Sequence, residues 1–271
     1  MTTPLVSLSI SPEGVGVLTL ENPPLNLITL DLTSQLIDTA ARIRADSTVR
    51  ALVITGAGSR AFCAGADIKE FADVRDDVIT KKLQRENEAM SAIAALPIPT
   101  IAALGGIALG GGAELAISCD IRIMDEKAII GFPEILLGVF PGSGGVFRLP
   151  RIVGISNALD LLYSGKTIGA REAHRLGLAN EVAPAGGALE RATELAALLV
   201  QRPALALTLI KEGAYAALTE DTTEATTRTL KDSHAVFAGP DIEEGVAAFL
   251  GKRSPNFTTP RSTDQSTKDR A

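Results

Sequence analysis

The chain is poor in the residues that build metal fingers and disulfide frameworks: it has two cysteines, Cys63 and Cys119, and two histidines, His174 and His234, all far apart. Basic residues are outnumbered, with 26 Lys and Arg against 32 Asp and Glu for a formal charge of −6, and no Lys/Arg run is dense enough to track a phosphate backbone. That balance argues against a nucleic-acid partner. Also missing is any run of about 18 apolar residues, and the opening segment MTTPLVSLSI has no basic stretch leading into an apolar one. Membrane spanning and export are therefore not expected, and a reducing cytoplasm is the expected location. A GxSxG elbow is absent, and two isolated histidines make poor material for a Ser-His triad. No internal repeat is visible.

What is present is a composition of 46% hydrophobic and 21% charged residues over 271 positions, enough for one large core or a core with a smaller satellite. Residues 5–20 alternate apolar with small or polar side chains on either side of Pro12-Glu13-Gly14, which predicts a hairpin. After a capping Thr29 or Asp31, Leu32, Leu36, Ile37, Ala40 and Ile43 fall at helical spacing. Strands are predicted at 51–56, 98–105 and 120–124, with helices around 77–95 and from about 111. This alternation predicts an α/β fold with an at least partly parallel sheet. Residues 1–186 form this predicted core. The segment 187–254 is Ala- and Leu-rich, with helical stretches and no strand candidate, and residues 255–271 are too polar to predict as ordered.

Three stretches bear on chemistry. Gly56-Ala57-Gly58-Ser59-Arg60-Ala61 formally meets a dinucleotide pattern, but AFCAGA at 61–66 does not open a helix on which a pyrophosphate would sit, so a turn is the better reading. In IPTIAALGGIALGGGAELAISCDIRI, a strand runs into Gly110, Gly111 and Gly112, and a helix then opens with Glu114 in its first turn. Such glycines allow close backbone approach, the first N–H groups of a helix lack partners, and a first-turn side chain leans back toward them. The pattern suits an oxyanion site with an acid beside it, or a packing turn whose Glu stabilises the helix dipole. Glu134 follows 20 residues later, after Pro133 and among Phe132, Ile135, Leu136 and Leu137. Crowding by apolar neighbours favours its neutral form and a proton-donor role; a surface cap or ion pair is the alternative.

FCAGADIKEF at 62–71, IAALGGIALGGGAELAISCDIRI at 101–123, GFPEILLGVFPGSGGVFRLPRIVG at 131–154 and GKTIGAREAHRLGLANEV at 165–182 together resemble the crotonase (enoyl-CoA hydratase/isomerase) superfamily over about residues 5–257. The resemblance implies a core of repeated ββα units and a helical C-terminal part serving assembly as a homotrimer or homohexamer. It implies an acyl-CoA thioester partner, with coenzyme A as part of the substrate and no separate cofactor or metal. It places the backbone N–H groups of Ala66 and Gly111 in an oxyanion hole. Ala64, Ala66, Asp67, Ile68 and Lys69 would fall along the CoA site, and Glu114 and Glu134 would be the two glutamates that hold one water in the hydratases. Enoyl-CoA hydration is thus the expected activity, with enoyl-CoA isomerisation or non-catalytic acyl-CoA binding as alternatives. Two departures stand out: PPLNLITLDL in the first loop, where an Asn-Ala-Leu-Asn type of sequence is common, and Gly105 where Asn is common.

Overall fold

The computed structural model describes residues 4–259. Strands β1 (Val6–Ile10) and β2 (Val15–Leu20) form the antiparallel hairpin predicted from the alternation around Pro12-Glu13-Gly14. Helix α1 (Leu30–Ala45) starts where the Thr29 side chain accepts the Leu32 N–H, and it carries Arg42 and Arg44 at its negative end. Its Leu32, Leu36, Ala40 and Ile43 are buried, as the spacing predicts. The chain continues through β3 (Ala51–Gly56), β4 (Ala61–Cys63), α2 (Glu70–Asp73) and a π-helical turn, Ile79–Leu83, that runs into α3 (Gln84–Ala94). Next come β5 (Thr100–Leu104), β6 (Ile107–Leu109), α4 (Gly111–Ile117), β7 (Ile121–Asp125), β8 (Ile129–Gly131) and a 3-10 turn, Pro133–Leu137. The remainder is α5 (Gly145–Val153), α6 (Ile155–Ser164), β9 (Thr167–Gly169), α7 (Ala170–Arg175), β10 (Glu181–Ala183), α8 (Ala188–Leu199), α9 (Ala204–Ala216), α10 (Thr222–Phe237) and α11 (Asp241–Leu250).

Two sheets result. The larger has the order β1-β2-β3-β5-β7-β10, parallel from β2 onward, and the smaller the order β4-β6-β8-β9. Each of the pairs β3–β4, β5–β6 and β7–β8 sends its first strand to the large sheet and its second to the small one before a helical segment follows. These are repeated ββα units, although no repeat shows in the side chains. The central strands of the large sheet are buried on both faces, and its side chains sort by alternation. Leu18, Leu20, Leu52, Ile54, Ala102, Leu104 and Met124 join α1, α3 and α4 in one core cluster, while Val15, Val53, Ile101, Ala103 and Ile123 form a second.

That second cluster is closed by Ala188, Ala192 and Ala196 of α8, whose four-residue spacing puts three small side chains on the sheet-facing stripe. The segment 187–254 therefore starts with a helix that belongs to the core. Helices α9 to α11 are different: Ile210, Leu230, Phe237, Phe249 and Leu250 are all at least two-thirds exposed, with values of 67, 67, 70, 83 and 74%. After α11, the Asn256 N–H donates to Glu244 Oε1 and the Thr259 hydroxyl to Asp241 Oδ1. The rest of the tail predicted at 255–271 lies outside the described residues. Among the described residues, no single helix is long and apolar enough to cross a membrane.

Candidate active site

The site forms where β6 ends and α4 begins. Gly110 makes the turn with φ +53° and ψ −126°, a conformation that L side chains avoid, and a Cβ on it would come within 3.2 Å of Glu134 Oε1. Gly112 is small for another reason: a Cβ there would lie 2.0 Å from the Cys63 carbonyl oxygen, so the first turn of α4 packs directly on β4. Between them, Gly111 is the first residue of α4, and its N–H has no carbonyl four residues back to accept it.

A second N–H is aimed at the same place by the loop before α1. The Ile28 N–H donates to Gly65 O at 2.9 Å and the Asp67 N–H donates to Ile28 O at 3.0 Å. These bonds make a one-residue parallel bridge between Ile28 and Ala66. Along an extended chain successive N–H groups point to opposite sides, so the Ala66 N–H faces away from Ile28 and toward α4. A Cβ on Gly111 would be 3.8 Å from the Ala66 nitrogen. The loop is held by Asn26, fully buried, which donates Nδ2 to Ala57 O at 3.0 Å and Ala61 O at 2.8 Å. The departure PPLNLITLDL thus keeps an asparagine as the structural anchor of the segment that presents Ala66.

These groups line one cavity of about 750 Å³, together with Glu114, Glu134, Ala64, Ile68 and apolar side chains that include Phe71, Leu137 and Phe140. Glu114 is buried at 3% exposure, and its Oε1 accepts the N–H groups of Ser143 and Gly145, each at 2.8 Å. Oε2 is the oxygen that these two donors leave unheld. Burial pushes the Glu114 carboxyl up to about 8; the two N–H donors oppose this, and the charges of Glu134 and Glu86 add to it. Glu134, on the 3-10 turn, is raised by burial to about 6, and neither of its carboxylate oxygens has a hydrogen-bond partner among the described residues. Both carboxyls are thus held above the usual carboxylate range, Glu114 further than Glu134.

Burial raises Glu134 in the direction expected for a desolvated acid, although the larger rise falls on Glu114 and the neighbours expected to crowd Glu134 do not all do so. Ile135, Leu136 and Leu137 are 44, 71 and 68% exposed, so the turn directs its apolar side chains largely outward while Glu134 turns inward toward Gly110. Of the other residues placed by resemblance, Ala64, Ala66 and Ile68 are on the cavity wall, whereas Asp67 and Lys69 are not. The Asp67 carboxylate instead accepts the Lys69 N–H at 3.0 Å, closing the turn before α2. Gly56–Arg60 makes the β3–β4 turn and leads into a strand, so no helix start follows it. Sequence reasoning did not single out Ser143, nor Glu86 and Lys82 on the α3 side of the cavity, which are 4% and 0% exposed. A charged side chain on a helix reads as solvated, and nothing in the spacing of these two marks them as buried.

The family model for enoyl-CoA hydratase/isomerase matches residues 11–260. The chain belongs to the enoyl-CoA hydratase/isomerase family. It is 40% identical over 248 residues to a probable enoyl-CoA hydratase of Mycobacterium tuberculosis, covering 91% of this chain and 95% of that protein. To a crotonyl-CoA hydratase of Syntrophomonas wolfei it is 36% identical over 246 residues, covering 90% and 95%. The crystal structure of an enoyl-CoA hydratase from Bacillus anthracis superposes with a TM-score of 0.90 at 34% identity, covering 94% of this chain and 99% of that one. The fold is thus that of the enoyl-CoA hydratase/isomerase family, whose substrates are acyl-CoA thioesters, and the two sheets with their ββα units are its core.

Proposed function

We propose that the protein is a hydro-lyase that adds water across the 2,3 double bond of a trans-2-enoyl-CoA to give a 3-hydroxyacyl-CoA. The observation that carries this reading is the convergence of buried Glu114, half-buried Glu134 and the backbone of Ala66 and Gly111 on one cavity. The thioester oxygen would accept from Ala66 and Gly111, so that carbon 3 becomes electrophilic and charge developing on the enolate oxygen is met by donors already in place. A water between the carboxylates loses a proton to Glu114 as its oxygen bonds to carbon 3, and Glu134 gives a proton to carbon 2. The sum is one water added, with no change in oxidation and no need of metal or redox cofactor.

This order needs a proton on Glu134 when chemistry begins. Both Glu134 oxygens are buried without a hydrogen-bond partner among the described residues, which favours the neutral form there. Glu114 also keeps two N–H donors that stabilise its anion. Ala64 and Ile68 would flank the adenine side of coenzyme A, with Lys69 near phosphate. Because the one-proton pair is the active form, kcat/KM for crotonyl-CoA hydration should be bell-shaped, with limbs near pH 6 and 8. A rate that stays flat from pH 5 to pH 9 would remove the carboxyl pair from the mechanism.

We further propose a homotrimer or homohexamer, supported by the apolar side chains that α9 to α11 leave exposed. Light scattering at micromolar concentration should give three or six times the chain mass of 28.2 kDa. A stable monomer would overturn this.

A further inference from the structure

Lys82, Glu86 and Ser143 take no part in the hydration scheme, yet a continuous chain of contacts runs through them to Glu114. The fully buried Lys82 places Nζ 3.1 Å from Glu70 Oε2 and 3.2 Å from Glu86 Oε1. Glu70 is itself fixed, accepting the Leu30 N–H with both oxygens at 3.1 Å. An ammonium is buried only when its charge is answered, so the two carboxylates pin Lys82 and Lys82 pins them. Glu86 then uses Oε2 to accept the Ser143 hydroxyl at 2.6 Å, a short bond of the charge-assisted kind. The next residue on α3, Asn87, donates Nδ2 to Gly142 O at 2.7 Å. The Ser143 carbonyl accepts Arg148 Nη1 at 3.3 Å. With its hydroxyl and carbonyl thus held, Ser143 directs its N–H to Glu114 Oε1.

We propose that Glu86 is a positioning residue for Glu114: braced by Lys82, it grips Ser143 so that the Ser143 N–H fixes one Glu114 oxygen and leaves the other to exchange a proton. Glu86 lines the cavity but does not itself carry the transferred proton, since Oε1 faces the ammonium as an ion pair and Oε2 faces the serine hydroxyl. The inference rests on the hydratase reading for its kinetic consequence, but not for its electrostatic one. The charged and titratable groups that act on Glu114 are Glu134 from the 3-10 turn, Glu86 from α3 and Arg148 from α5. Cys63, beneath α4, is pushed up to about 12 by burial and stays neutral. Replacing Glu86 by an amide removes one negative neighbour and so lowers the pH at which Glu114 ionises.

The test compares Ser143→Ala, Glu86→Ala, Glu86→Gln and the double Glu86→Ala/Ser143→Ala, each checked for folding by its thermal transition. For crotonyl-CoA hydration, Ser143→Ala and Glu86→Ala should each lower kcat about tenfold with KM within about twofold, as a slightly misplaced acid does. The double variant should be no worse than the poorer single, because both changes cut the same chain. Glu86→Gln keeps an acceptor for the hydroxyl and should recover most of kcat while its alkaline limb shifts to lower pH. Unchanged kcat in the alanine variants, multiplying effects, or a raised KM with normal kcat would overturn the proposal. If Glu86→Ala does not fold, the milder Ser143→Ala and Glu86→Gln decide. The second arm needs no substrate: infrared titration of the protonated carboxyl band that Glu114→Gln abolishes should show a lower midpoint in Glu86→Gln. A wild type that hydrates no enoyl-CoA but shows this shift would reject the hydratase reading and keep the coupling of Glu86 to Glu114. Hydration with an unmoved midpoint and normal kcat in the variants would do the reverse.

Discussion

Glu114→Gln and Glu134→Gln should each lower crotonyl-CoA hydration by at least about 100-fold, the scale of lost general acid–base catalysis, while coenzyme A thioester binding survives. Glutamine keeps the size of the side chain and an acceptor for the Ser143 and Gly145 N–H groups, but it cannot exchange a proton at neutral pH. Since the two acids share one water, the double variant should lose far less than the product of the single losses. Isomerisation between carbons 2 and 4 predicts a different pattern: Glu134→Gln abolishes activity on a 3-enoyl-CoA and Glu114→Gln is nearly harmless. Wild-type-like hydration by Glu114→Gln would therefore sink the hydratase reading without touching the family assignment. Folding can be monitored in the same samples. The Glu114 carboxyl is raised from 4.5 to about 8, so the native state holds a proton that the unfolded chain has released, and its contribution to stability is lost as pH rises through about 8. The glutamine variant has no such loss and should melt at least as high as wild type at pH 9.

Lys82→Met should destabilise the protein by about 3–5 kcal/mol at pH 7, the range for removing one partner from a buried charge cluster. The methionine fills the same space, but Glu70 and Glu86 then face each other across an apolar gap without their shared cation. The triple change Lys82→Met/Glu70→Gln/Glu86→Gln removes those stranded charges and should recover most of the loss in urea denaturation. If the triple variant is less stable than Lys82→Met alone, the loss comes from packing around the lysine stem rather than from charge.

Much of the fold could be read along the chain because it is set by neighbours in sequence. The hairpin of β1 and β2 and the buried stripe of α1 show a period of 2 or 3.6, and strands β3, β5 and β7 are runs of five or six residues, mostly apolar and long enough to stand out. The small sheet could not be read this way. Strands β4, β6, β8 and β9 have three residues each, too few to show any period, and they exist because the ββα units bring them side by side. Likewise, α8 looked no different from α9 to α11 as a run of Ala and Leu, and only its position over the large sheet makes it core.

The site divides along the same line. Gly110 to Gly112 followed by Glu114 is a local device, because a helix start and the lean of a first-turn side chain need nothing beyond the chain itself. The pairing of Ala66 with Gly111, the meeting of Glu114 and Glu134, and the chain from Lys82 through Glu86 and Ser143 are through-space facts. How far each glutamate is held toward its neutral form is another, because a carboxyl's affinity for a proton follows from the water, donors and charges that surround it after folding. The sequence by itself determined which residue types were on hand and which short segments were prepared for them; the tertiary structure decided their burial, and with it their charge.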